Sequence, residues 1–132
     1  APTTVANGTI AIGTDGFATL RYVGAGSSSD RQIAINDSGS ANNVTLDASG
    51  TGAWQMTTGI VYNGTGNAVN NRPVFLDGSN TNANTLGNIT FNYSRASGVN
   101  GNATVTKNGT GLWVLSGSNS YNLGGGGTAG SY

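Results

Sequence analysis

The chain contains no cysteine, no histidine and no glutamate. Without cysteine there is no disulfide framework and no thiolate ligand. Without histidine a Ser-His-Asp or Cys-His arrangement is impossible, and zinc loses its usual nitrogen ligand. Charge is equally scarce. Five basic and five acidic residues cancel to a formal net charge of zero over 132 residues. Such a chain has no field to steer it onto nucleic acid or an anionic bilayer. No apolar run approaches the roughly 20 residues of a membrane-spanning helix, so a transmembrane helix is not expected. Helical periodicity is missing too, because no segment repeats apolar residues at i, i+3 and i+4.

The abundant residues are glycine, asparagine, serine and threonine, with 23 glycines. These are weak helix formers and strong turn formers. A surface wetted by amides and hydroxyls suits a secreted protein that touches sugars, solids or other copies of itself. The opening Ala1-Pro2-Thr3-Thr4 reads equally well as a mature end after signal cleavage or as a boundary within a longer chain.

Short period-two runs dominate. They include Thr9–Ile12, Phe17–Val23, Gln32–Ile35, Val44–Leu46, Ala53–Met56, Pro73–Leu76, Asn88–Tyr93, Ala103–Thr106 and Leu112–Leu115. Each is bounded by Gly, Asn, Asp or Ser, as strands are. Pairs such as Asn63-Gly64, Asp77-Gly78 and Asn108-Gly109 favour tight turns. Strand centres recur about every ten residues, a rhythm of all-β folds. Two architectures give that rhythm: a parallel β-solenoid and an antiparallel β-sandwich.

Internal similarity favours stacked coils. Val44-Thr45 followed by Gly50-Thr51-Gly52-x-Trp54 matches Val105-Thr106 followed by Gly109-Thr110-Gly111-x-Trp113. Arg31–Asn36 resembles Arg72–Asp77. Like residues then sit above like, and stacked Asn side chains can bond along a ladder. Coils of roughly 20–25 residues would give about five or six in this length. The expected core is Ile33, Ile35, Leu46, Trp54, Val74, Leu76, Trp113 and Leu115.

The segment VTKNGTGLWVLSGSNSY, Val105 to Tyr121, resembles the passenger-associated repeat of bacterial autotransporters. The matching positions are Thr106, Lys107, Gly109, Gly111, Leu115, Ser116, Gly117, Asn119 and Tyr121. Leu20 to Ile35 followed by Thr45 to Trp54 is similar to autotransporter-associated β-strand arrays of large bacterial surface proteins. The resemblance implies a right-handed parallel solenoid outside the cell, serving display, adhesion or matrix building. It departs from the family after Asn119-x-Tyr121. The family strand expected there resembles Pro2–Gly13, at the opposite end of the chain.

That split pattern suggests a subunit of an extracellular filament, joined head to tail. Residues 1–12 would be an exchanged N-terminal strand and 122–132 a Gly-rich tail of one 132-residue domain. The expected contact residues are Thr3, Thr4, Val5, Ile10, Ile12, Asn119, Tyr121 and Tyr132. Unpaired strand edges at the ends of such a fold are templates for another copy. The alternative is an adhesin repeat that binds carbohydrate or a host surface, with surface polysaccharide as a further partner.

No catalytic residue, metal site or cofactor is expected. The five aspartates (Asp15, Asp30, Asp37, Asp47, Asp77) lie mostly beside Gly or Ser, as turn residues do. Fragments of a calcium repeat at Asp15 and Asp77 never recur at nine residues. N-x-Ser/Thr triplets at Asn7, Asn36, Asn43, Asn63, Asn88, Asn92, Asn102 and Asn108 read as turns and ladders in so Asn-rich a chain.

Overall fold

A computed structural model describes residues 8–13, 16–37, 43–65, 72–94 and 103–122. The described chain is all-β. Its strands are β1 (Ile10–Ile12), β2 (Ala18–Tyr22), β3 (Ala25–Ser29), β4 (Ile33–Asp37), β5 (Val44–Ala48), β6 (Gly52–Thr65), β7 (Arg72–Asp77), β8 (Asn84–Ser94), β9 (Ala103–Lys107), β10 (Trp113–Leu115) and β11 (Ser120–Asn122). They form two sheets. The larger runs β1-β4-β6-β8-β10, with β3 also on β6 and β11 also on β8. The smaller runs β2-β5-β7-β9.

Every described ladder is parallel. The antiparallel sandwich is therefore corrected. A hairpin pairs strands adjacent in sequence, whereas here each strand pairs with one reached after a circuit through both sheets. Neighbouring circuits are separated by 23 residues from Ile10 to Ile33 and by 31 residues from Val74 to Val105. Both steps contain a passage through the other sheet. Most circuits are longer than the 20–25 residues expected, because two corner segments are added to the strands. About four circuits span the described residues.

Side chains stack by register. Ile10, Ile33, Ile60 and Ile89 form one column, and Ile12, Ile35, Tyr62 and Phe91 the next inward column. Tyr62 and Phe91 stack at 5.5 Å between ring centroids. On the smaller sheet Val44, Val74 and Val105 are in line, as are Leu20, Leu46 and Leu76. These columns meet in one buried cluster between the sheets. β-Branched and aromatic side chains fit this pleated, half-buried surface.

The two Gly-Thr-Gly copies occupy the same corner, two circuits apart, where the chain passes from the smaller sheet to the larger. A Cβ on Gly52 would lie 1.9 Å from the Ala25 carbonyl oxygen, and one on Gly109 would lie 2.2 Å from that of Gly78. Backbones of adjacent circuits touch there, so only glycine fits. Backbone bonds cross the contact from Thr51 N–H to Gly24 O at 2.9 Å and from Gly111 N–H to Gly78 O at 2.9 Å. The similarity of Arg31–Asn36 to Arg72–Asp77 has a different outcome. Ile33–Asn36 fall in β4 and Arg72–Asp77 form β7, on different sheets, and they are not register partners.

Candidate functional site

Three regions carry polar or exposed groups in ordered arrays. The first is the corner built by Asn80, Asn82 and Asn84. Asn80 and Asn84 are buried. Asn84 Oδ1 accepts the Trp54 N–H at 3.0 Å, and its Nδ2 donates to the Leu112 carbonyl at 2.8 Å. Asn80 Nδ2 donates to the Gly52 carbonyl at 2.5 Å. Asn82 Nδ2 donates to the Thr51 carbonyl at 3.2 Å. These amides replace water for backbone groups on the circuits below and above, as buried polar atoms require.

Asn84 also explains the spacing of the two tryptophans. In register, Trp54 pairs β8 near Asn84, and Trp113 is the direct partner of Asn84. With the Asn84 amide bonded to backbone, the rings meet past it at 5.9 Å, edge to face. Tyr22 stacks on Trp54 from the first circuit at 5.7 Å. Trp54 is buried. Trp113 is half-buried, and its indole N–H donates to the Asp77 carbonyl at 2.9 Å.

The second region is the outer face of the smaller sheet. Arg21, Asp47 and Asp77 are consecutive register partners there. Arg21 Nε lies 2.5 Å from Asp47 Oδ2, and Ser49 Oγ donates to Asp47 Oδ1. Asp77 Oδ1 accepts the Gly78 N–H at 2.7 Å. Both carboxylates thus serve the fold. No group of three His, Cys, Asp or Glu that could hold a metal is found among the described residues.

The third region is the pair of end circuits. Phe17 and Val23 flank β2 and are exposed. At the other end Leu112, Val114 and Leu115 are exposed. Leu115 was expected in the core. It is 43% exposed because it stacks on Leu86 and no described strand lies on its far side. Lys107 takes the next place in the Leu20-Leu46-Leu76 column and is exposed, with Nζ turned to the Gly109 carbonyl.

The remaining sequence candidates are placed as follows. Ile33, Ile35, Leu46, Val74 and Leu76 are buried. Ile10 and Ile12 are half-buried in β1 and pair with β4 of the same chain. Asn119 Oδ1 accepts the Ile89 N–H at 3.0 Å. Tyr121 lies in β11 opposite Phe91. Thr3, Thr4, Val5, Tyr132, Asp15 and most of the 122–132 tail lie outside the described residues. Sequence reasoning missed the Asn80–Asn84 cross-link. Its only signal is three asparagines at alternate positions beside an apolar strand.

No protein-family model matches the chain, and no solved structure matches it. One curated protein is similar: an adhesin autotransporter, BmaC, of Brucella suis biovar 1 (strain 1330). It is 36% identical over 137 aligned residues, covering 91% of this chain. The chain spans 4% of that protein's length. The match supports an autotransporter-associated origin for the sequence. Among the described residues no helix is long and apolar enough to cross a membrane.

Proposed function

We propose that the chain is a segment of a surface-displayed bacterial adhesin, built as a parallel β-solenoid of the autotransporter-associated repeat type. The observation that carries this reading is the similarity of 91% of the chain to an adhesin autotransporter. All-parallel ladders with alternation between two sheets support the solenoid. Each circuit buries its apolar side against the circuits before and after it, so length is added without a new core. The outer surface is neutral and rich in amides and hydroxyls. Such a surface suits hydrogen bonding to surface polysaccharide or host glycans rather than to a charged polymer. Antibodies against the folded chain test the location: they label intact producing cells. Labelling only after permeabilisation would contradict surface display.

The head-to-tail homopolymer is the second reading. It is favoured by the exposed apolar residues of the end circuits. Against it stands Lys107, which a stacked copy would have to desolvate. Electron microscopy across a concentration series, with residues 1–12 present or deleted, separates the two. Filaments lost on deletion support assembly through the N-terminal strand; monomers in both forms remove it.

A further inference from the structure

Two Asn-Gly pairs fall among the described residues: Asn63-Gly64 in β6, and Asn108-Gly109 at the corner after β9. Both asparagines are exposed. Two further pairs begin at Asn7 and Asn100, outside the described residues. The backbones of the two described pairs differ. Asn63 is laddered to Asn36 on one side and Asn92 on the other, and Gly64 to Asp37 and Tyr93. A strand paired on both sides is extended, with its N–H groups committed. Asn108 has left its ladder, because β9 ends at Lys107. Among the described residues its carboxamide makes no hydrogen bond, and the Gly109 N–H has no acceptor. The corner also dictates the second residue of the pair. A Cβ on Gly109 would lie 2.2 Å from the Gly78 carbonyl oxygen, so only glycine fits. The same missing Cβ leaves the Gly109 nitrogen open to the side chain before it.

We propose that Asn108-Gly109 is a self-modifying site, which deamidates in the folded chain and loosens the last described circuit, while the ladders protect Asn63-Gly64. The inference does not rest on the adhesin reading. Water is the only co-reactant. The Gly109 nitrogen attacks Cγ of Asn108, an N–Cγ bond forms, and the amide proton passes to solvent. The Cγ–Nδ2 bond breaks, and ammonia leaves with the electron pair after taking up a proton. Water then opens the cyclic imide at either carbonyl, leaving aspartate or isoaspartate. No oxidation or reduction is involved. Ring closure turns the chain out of the extended conformation, so Asn63 reacts only when its ladders open. The product burdens the corner in two ways. Lys107 is in register with Leu76, which puts Asn108 beside Asp77, the register partner of Asp47. A new carboxylate there meets a like charge. Isoaspartate also adds a methylene to the backbone where circuits touch. The bonds nearby run from Gly111 N–H to the Gly78 carbonyl at 2.9 Å and from the Trp113 indole to the Asp77 carbonyl at 2.9 Å.

The test is peptide mass spectrometry of the purified, folded chain aged in oxygen-labelled water at mildly alkaline pH, beside the same chain aged in urea. Label enters each new carboxyl group. In the folded chain Asn108 is expected to convert at least about tenfold faster than Asn63, the ratio being set by the cost of opening a ladder. In urea the two rates converge. Equal rates in the folded chain would overturn the proposal, as would an intact Asn108 when the urea sample has converted. The form carrying isoaspartate at this corner, separated by anion exchange, is expected to unfold at lower urea than the parent. An unchanged midpoint would overturn the loosening. Asn108→Gln keeps an amide on a longer side chain, and that chain should hold its midpoint through the same ageing. An equal decline in Asn108→Gln would place the damage elsewhere and overturn the assignment.

Discussion

The middle circuits and the last described circuit share columns, yet differ in burial. Leu86 is 0% exposed, while its register partner Leu115 is 43% exposed. Leu76 is buried, while its partner is Lys107. For the leucine pair the residue type is the same, and the difference lies in whether a further described strand covers it. In this fold burial is conferred by neighbours, and an edge strand tolerates what a middle strand cannot.

Breaking the middle should cost most. Leu86→Ala is expected to destabilise by about 2–5 kcal/mol, as a buried leucine deletion does. Leu115→Ala should cost about 1 kcal/mol or less, since less than a full side chain is withdrawn from water. Urea unfolding of the pair checks both, and equal losses would erase the comparison. Next is the buried amide. Asn84→Leu removes the bonds to Trp54 N–H and the Leu112 carbonyl and should cost about 1–3 kcal/mol. Asn92→Leu, at an exposed ladder position without a side-chain bond, should stay within about 0.5 kcal/mol.

Lys107→Leu sharpens the contrast at the edge. It extends the leucine column to β9, the last described strand of the smaller sheet, and the expected outcome is concentration-dependent association seen by sedimentation, where the parent chain shows less. On the smaller sheet Arg21 is 63% exposed, but the Asp47 side chain it pairs with is only 7% exposed. Arg21→Ala leaves that carboxylate with Ser49 Oγ as its remaining side-chain partner and should cost about 1–3 kcal/mol, more than an exposed pair would.

Much of the strand content is legible in the sequence. Val44–Leu46 alternates between Asn43 and Asp47 and falls within β5, and the apolar run Pro73–Leu76 before Asp77-Gly78 falls within β7. The corner glycines are legible as a repeated motif, though their reason, backbone contact between circuits, is not. β3 is invisible in advance. Its sequence Ala-Gly-Ser-Ser-Ser has no apolar alternation, and it is a strand because β6 offers it a ladder. The Asn80–Asn84 cross-link is hidden for a related reason. Asparagine reads as a turn former, and only the approach of two other circuits gives its amide buried partners. The exposure of Leu115 is likewise a property of what lies beside the strand.

The proposed function requires that the folded circuits, not the loose chain, present the adhesive surface. The direct measurement is competition: purified wild-type chain and the Leu86→Ala form are each added while producing cells attach to host cells or to immobilised polysaccharide. The account predicts that the folded chain reduces attachment and the destabilised form does so less. No reduction by either form, or equal reduction by both, would contradict it.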